Sequence, residues 1–174
     1  MRLSVLWRGL PGHPLHPPLT DATIGIYTLA TAMALLSRLG VSEHNTATVW
    51  WIALVAGLVT TVPTALTGFF DWLDISRGTP LWRTATAHMS AMLIATILFA
   101  ITAGAGHGDY VDGEVSGTSL ILTLVGYALL TLGGWLGGSV VYVHGMRVLN
   151  LVDEPARRAA APVATPEKEA ADES

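Results

Sequence analysis

Ser119–Val143 reads SLILTLVGYALLTLGGWLGGSVVYV, twenty-five residues without one charged side chain. At 1.5 Å of rise per helical residue, such a run crosses a hydrocarbon core of about 30 Å with length to spare. It lacks the charged stripe that a soluble helix turns toward water. Three further runs have a similar character: Asp21–Leu39, Ala47–Phe70 and Thr84–Ala103. The whole chain of 174 residues is 51% hydrophobic and only 13% charged, against about 25% charged in a typical soluble domain. Its mean hydropathy is +0.51. The expected fold is an all-α, polytopic membrane protein, a single bundle of four transmembrane helices in contact with the lipid bilayer.

Charge sets the expected orientation. Lys and Arg collect in the loops kept inside, and placing both termini and the 71–83 loop inside puts eight of the nine cations there, with Arg38 alone outside. The topology is therefore N-in/C-in. Residues 1–20 form a cytoplasmic His-Pro lead-in, residues 21–150 the four-helix membrane domain, and residues 151–174, rich in Ala, Pro and Glu, a disordered cytoplasmic tail. Arg2 and Arg8 are cut off from the first apolar run by Pro11, Pro14, Pro17 and Pro18, and that run is a full span, so it is expected to stay as helix one rather than be cleaved as a signal. Outside, Trp50 and Trp51 are expected at the membrane interface. The 104–117 stretch reads as a flexible solvated loop, and His44 and His107 have no evident partner. Inside, Trp72 and Trp82 flank a loop expected along the headgroups.

The chain has no cysteine, which removes disulfides, covalent c-type haem and cysteine-ligated iron–sulfur clusters. Ligands must come from other side chains, and the inner face collects them. His13 and His16 lie in HPLHPP before helix one, Asp21 opens that helix, Asp71 ends helix two, His88 sits one turn inside helix three, and His144 ends helix four. Ionisable groups at such depth are expensive and default to function. His13 and His16 each precede proline, which predicts extended backbone, with the two imidazoles on one side of a polyproline II segment and ~9 Å apart.

Helical arithmetic at ~100° per residue aligns Gly126, Gly133, Gly137 and His144 on helix four, with Leu130 off that stripe. It aligns Thr60, Thr64, Thr67 and Asp71 on helix two, Ala91, Met92, Ala95 and Phe99 with His88 on helix three, and Gly25, Thr28 and Ala32 with Asp21 on helix one. Gly133–Gly137 and Gly134–Gly138 are GxxxG pairs, whose ordinary use is helix packing, within the bundle or between two copies as a homodimer. Simpler readings stand beside the ligand reading: His88 as a core histidine bonded to Thr84 or Asp71, and His144 as a helix cap.

Gly12-His13-Pro14-Leu15-His16-Pro17, Gly68 with Asp71-Trp72, the His88 segment, and Leu136-Gly137-Gly138 through Val141-Tyr142-Val143-His144-Gly145 resemble a bacterial family of four-helix membrane proteins, the domain of unknown function 2231. The resemblance covers the chain up to about residue 153. It implies a multi-pass protein of the bacterial inner membrane. Some relatives resemble fusions to a Rieske iron–sulfur domain, which implies a redox neighbourhood. Leu19-Thr20-Asp21 departs from the apolar-histidine stretch of many relatives.

Three functions follow from the residues. His88 and His144 can clamp a b-type haem, or His13, His16, His88 and His144 with Asp21 and Asp71 can hold zinc, copper or iron, either serving membrane electron transfer with a redox partner protein. The polar stripe of helix two can instead line a small-solute or proton path, making the protein a transporter or channel subunit. A membrane scaffold with structural histidines is the third. No Ser/His/Asp elbow or HExxH motif points to a hydrolase; no catalytic residue is assigned, and no nucleic-acid partner is expected.

Overall fold

The computed structural model describes Gly9 and residues 13–148; the expected tail at 151–174 lies outside the described residues. The elements are α1 (His16–Arg38), α2 (Glu43–Leu73), α3 (Pro80–Ala105), a short α4 (His107–Asp112) and α5 (Gly117–Tyr142). The four long helices are each long and apolar enough to cross a membrane. The protein is an all-α, four-helix membrane bundle, and each long helix starts a few residues before its apolar run.

The largest extension is at the start of α1. The expected extended backbone through His16 is not what forms: the helix begins at His16, with Leu15 already in right-handed helical geometry (φ −80°, ψ −32°). The amides of a first helical turn have no intrahelical acceptor, so Pro17 and Pro18 cost no hydrogen bond there. Pro80 opens α3 in the same way, behind Thr79, whose hydroxyl accepts the Trp82 N–H at 3.2 Å. Ser116 caps α5 likewise through the Ser119 N–H at 3.3 Å.

The helices form a square. α1 packs chiefly on α2 and α3 chiefly on α5, while α2–α3 and α1–α5 contacts close the other two sides. α1 and α3 therefore face each other across the bundle axis, as do α2 and α5. The interior is built from small residues, with Ala30, Ala34, Ala47 and Ala95 at 1% exposure or less. Large aliphatic side chains such as Ile52, Val59, Leu93, Ile101 and Ile121 are at least half exposed on the outside. Close packing of small residues with apolar groups turned outward is how membrane helices associate when lipid removes the hydrophobic drive between them.

The two hairpins, α1–α2 and α3–α5, repeat one design. Tyr27 on α1 follows His16 by eleven residues and Phe99 on α3 follows His88 by eleven. The two rings stack across the axis with centroids 4.0 Å apart and planes 9° apart. Each ring also lies against a glycine of its own hairpin. A Cβ on Gly57 would fall 2.5 Å from the Tyr27 ring, and one on Gly126 would fall 2.9 Å from that of Phe99. Gly68 and Gly137 follow those glycines by eleven residues. The bundle thus has an approximate two-fold relation about its own axis.

The outer layer differs from expectation. Trp50 is fully buried rather than interfacial, its indole N–H donating across the axis to Thr123 at 3.1 Å. Trp51 donates to the Ala103 carbonyl at 2.9 Å. An indole N–H in an apolar layer needs an acceptor, and both find one inside. The 104–117 stretch is likewise not a free loop. Tyr110 of α4 stacks on Trp51 at 4.8 Å, His107 meets the same indole edge-on at 5.3 Å, and Asp109 accepts the Ser116 N–H at 2.8 Å. His44 is exposed and lies beside Gly113.

The phase of α1 also differs. Asp21, Gly25, Thr28 and Ala32 are exposed, and the buried stripe is Thr23, Tyr27, Ala30, Thr31 and Ala34. Asp21 is two-fifths of a turn off that stripe by helical arithmetic, whereas His16 shares it.

Candidate functional site

The imidazole pair His16–His88 lies about three helical turns from the Tyr27–Phe99 stack, toward the chain termini. The rings meet across the bundle axis, centroids 6.3 Å apart and planes at 79°. The approximate two-fold holds in detail. A Cβ on Gly68 would fall 2.6 Å from Cε1 of His16, and one on Gly137 would fall 2.9 Å from Cε1 of His88. Each imidazole is thus seated on a glycine of its own hairpin's second helix. His16 Nδ1 bonds the carbonyl of Thr64 at 3.0 Å, and His88 Nδ1 bonds that of Gly133 at 2.7 Å. Both carbonyls lie four residues before the glycine seat, one turn up the same helix face.

A carbonyl accepts only, so both Nδ1 atoms carry hydrogen, and in the neutral imidazole each Nε2 then keeps a lone pair. Thr20 Oγ1 lies 3.4 Å from His16 Nε2, but its proton goes to the His16 carbonyl at 2.9 Å. Thr67 Oγ1 supports His16 Nδ1 at 3.3 Å. Neutral imidazole with Nδ1–H held by a backbone carbonyl is the state in which protein histidines offer Nε2 to a metal.

His144 stands lower, its Nε2 3.1 Å from Thr84 Oγ1, and Thr84 is one turn before His88 on α3. Asp71 is buried (7% exposed) and takes the guanidinium of Arg147, which also reaches Asp74 at 3.5 Å. His13 and Asp21 are exposed. Of the six expected ligands, then, the structure brings His16 and His88 together, with His144 and Asp71 around their inner side and His13 and Asp21 exposed. The imidazole that meets His88 is that of His16, which α1 carries onto the axis because it starts early, while His144 bonds Thr84 one turn away. Among the described residues, no group of three or more His, Asp or Glu side chains is placed to hold a metal ion.

Sequence reasoning missed the two seats as a matched set. The signal was present: Gly57/Gly68 and Gly126/Gly137 share one spacing, as do His16/Tyr27 and His88/Phe99.

Fold and site together define a multi-pass, four-helix membrane protein with a two-fold-related imidazole pair on its axis. Residues 12–150 match the profile of the family described as predicted membrane protein (DUF2231), and the chain belongs to that family. No curated protein and no solved structure matches it significantly.

Proposed function

We propose that this is a membrane metalloprotein in which His16 and His88 are the paired ligands of one metal centre, a b-type haem being the cofactor that the donor set suits best. The observation that carries the reading is the matched anchoring of the two rings, each Nδ1–H spent on a carbonyl, which in the neutral imidazole leaves each Nε2 a lone pair. Two metal–nitrogen bonds of about 2 Å plus two ring radii come to roughly 6 Å, close to the 6.3 Å between centroids. Zinc in a structural site takes four protein ligands; with no third His, Asp or Glu placed beside them among the described residues, His16 and His88 would suit a haem iron better. Equivalent donors from two equivalent hairpins also suit a centre that lies on the axis.

Such a cofactor supplies one-electron chemistry. The chain's own part is to fix ring orientation through Thr64 and Gly133 and to seat each ring closely against Gly68 and Gly137. A redox partner protein would approach the end of the bundle nearest the imidazoles, the end that charge assigns to the cytoplasm of the cell carrying it. If two copies associate through α5, the faces of Gly134 and Gly138 serve, since Gly133 and Gly137 are taken by Met92 and His88.

The polar stripe of α2 favours this reading over transport. Thr60, Thr61, Thr64 and Thr67 each donate their hydroxyl proton to a carbonyl three or four residues earlier, at 2.8–3.0 Å. Protons committed to the helix backbone serve packing rather than passage.

The test is an absorption spectrum with elemental analysis of the detergent-purified chain. A Soret band lost in both His16→Ala and His88→Ala, and kept in His144→Ala, is expected. One bound transition metal with the same pattern would support the ligand pair and replace haem. Neither a band nor a stoichiometric metal would overturn the proposal and leave the imidazoles as packing elements.

A further inference from the structure

We propose that Val143–Val148 is a lid over the inner end of the bundle axis, latched by Arg147 on Asp71. The proposal rests on the same imidazole pair, but on access to it rather than on what it binds.

The path of the chain carries the argument. α5 and α2 occupy opposite corners of the square, in little contact along their lengths. Yet the residues after α5 reach the end of α2, where Arg147 pairs with Asp71 and Asp74. Thr84 shares with His88 the face of α3 turned to the axis, and Asp71 is buried, so the segment runs between two inward-facing groups at the inner end of the bundle. A second tether holds the segment to α3, His144 to Thr84 at 3.1 Å.

Both tethers sit one turn inward of the groups that hold the imidazoles. Thr84 precedes His88 by four residues, and Asp71 follows Thr67, a partner of His16 Nδ1, by four. The turn that aims the segment toward α2 is built for it. Gly145 has φ +66°, the left-handed geometry that ends a helix sharply. Arg147 holds φ +60°, which a non-glycine residue adopts only when its surroundings fix it. Its guanidinium pairs with the largely buried Asp71. The lid also breaks the two-fold: Asp71 of the first hairpin corresponds to Val140 of the second, so a single latch exists.

The experiment is histidine labelling by diethyl pyrocarbonate of the full chain in nanodiscs, read by peptide mass spectrometry. It is run on protein of known spectrum and metal content, and on protein from haem- and metal-depleted cells. Shielding by a bound metal then separates from shielding by the lid, and the outcome does not depend on a cofactor being found. In wild type, His44 and His107 should label fast and His16 and His88 slowly. Arg147→Ala should raise the rate at His16 and His88 at least tenfold, with His44 and His107 unchanged. Joining Thr84→Cys to His144→Cys with a short bis-maleimide should return that variant to slow labelling. Should Arg147→Ala speed the outer pair as well, the bundle has loosened, and Arg147→Gln, which keeps the side-chain bulk, takes its place under the same criteria. Unchanged rates at His16 and His88, fast labelling of both in depleted wild type, or no recovery on cross-linking would each overturn the lid.

Discussion

Trp50→Ala should lower unfolding stability by about 3–5 kcal/mol, the range for emptying a buried aromatic site. Trp50 is fully buried, and its indole tip approaches Gly106, where a Cβ would fall 2.4 Å from the ring. It spans from α2 to Thr123 on the opposite helix, so its loss opens a void in the outer layer of the square. In a bilayer, helix association depends on such packing more than on hydrophobic transfer, and the lining atoms lose their dispersion partners outright. The hydrogen bond is the smaller part. Thr123→Val keeps the volume but removes the acceptor of the indole N–H, and should cost about 0.6–2 kcal/mol, the range for an interhelical bond in membranes. Reversible unfolding in mixed micelles distinguishes the two. A Trp50→Ala effect no larger than that of Thr123→Val would mean that the ring is not packed as described.

The same tryptophan shows where sequence stops being informative. Charge-free runs of membrane length are legible because a bilayer imposes a length and forbids charges, so all four helices could be placed from composition alone. Which way a helix faces is harder when every side is apolar. The expected phase of α1 was set by Asp21, its most polar residue, whereas the buried face belongs to Thr23, Tyr27 and Thr31. Threonine enters such a core at low cost because its hydroxyl bonds its own helix, as Thr23 does to Leu19 O at 2.8 Å and Thr31 to Tyr27 O at 2.9 Å. A carboxylate has no such option and goes outward, or takes an arginine as Asp71 does.

Of the site, His88 and its depth were legible from the span boundaries. His16 was legible as a candidate ligand but its place in α1 was not, because a residue before proline reads as extended, whereas Pro17 and Pro18 cost no hydrogen bond in a first turn and the helix starts there. The glycines behind the two rings were legible as packing residues, but what they pack against depended on the register of two hairpins. That register shows itself only when both eleven-residue spacings are compared.

Gly137→Leu is expected to cost about 3 kcal/mol, the upper end for overpacking a close-packed core, and to remove His88 from the axis. A Cβ alone would come 2.9 Å from Cε1 and 3.1 Å from Nδ1 of His88. The ring cannot swing away freely, since its Nδ1–H is tied to Gly133 O at 2.7 Å. Either that bond breaks, leaving a buried N–H without its partner, or α3 and α5 separate along their shared face. Gly138→Leu is the matched control one residue on. A Cβ there meets only Tyr142 of its own helix, at 3.9 Å, so stability should change by no more than about 0.5 kcal/mol, as at surface sites. Leu130, expected off the glycine stripe, does not serve as that control: four residues after Gly126 and seven before Gly137, it shares their face and is only 2% exposed, packed in the core. The smaller change Gly137→Ala separates stability from site geometry. It adds one carbon, so most of the fold should survive while the His88 ring is displaced, and Gly68→Ala should act in the same way on His16, where the approach is closer at 2.6 Å. Both alanine variants should perturb whatever signal the imidazole pair gives, an absorption band or a histidine ring resonance, by more than Gly138→Leu does. Equal tolerance of leucine at positions 137 and 138 would mean that α5 turns a different face to α3, and the seats, with the paired site built on them, would be wrong.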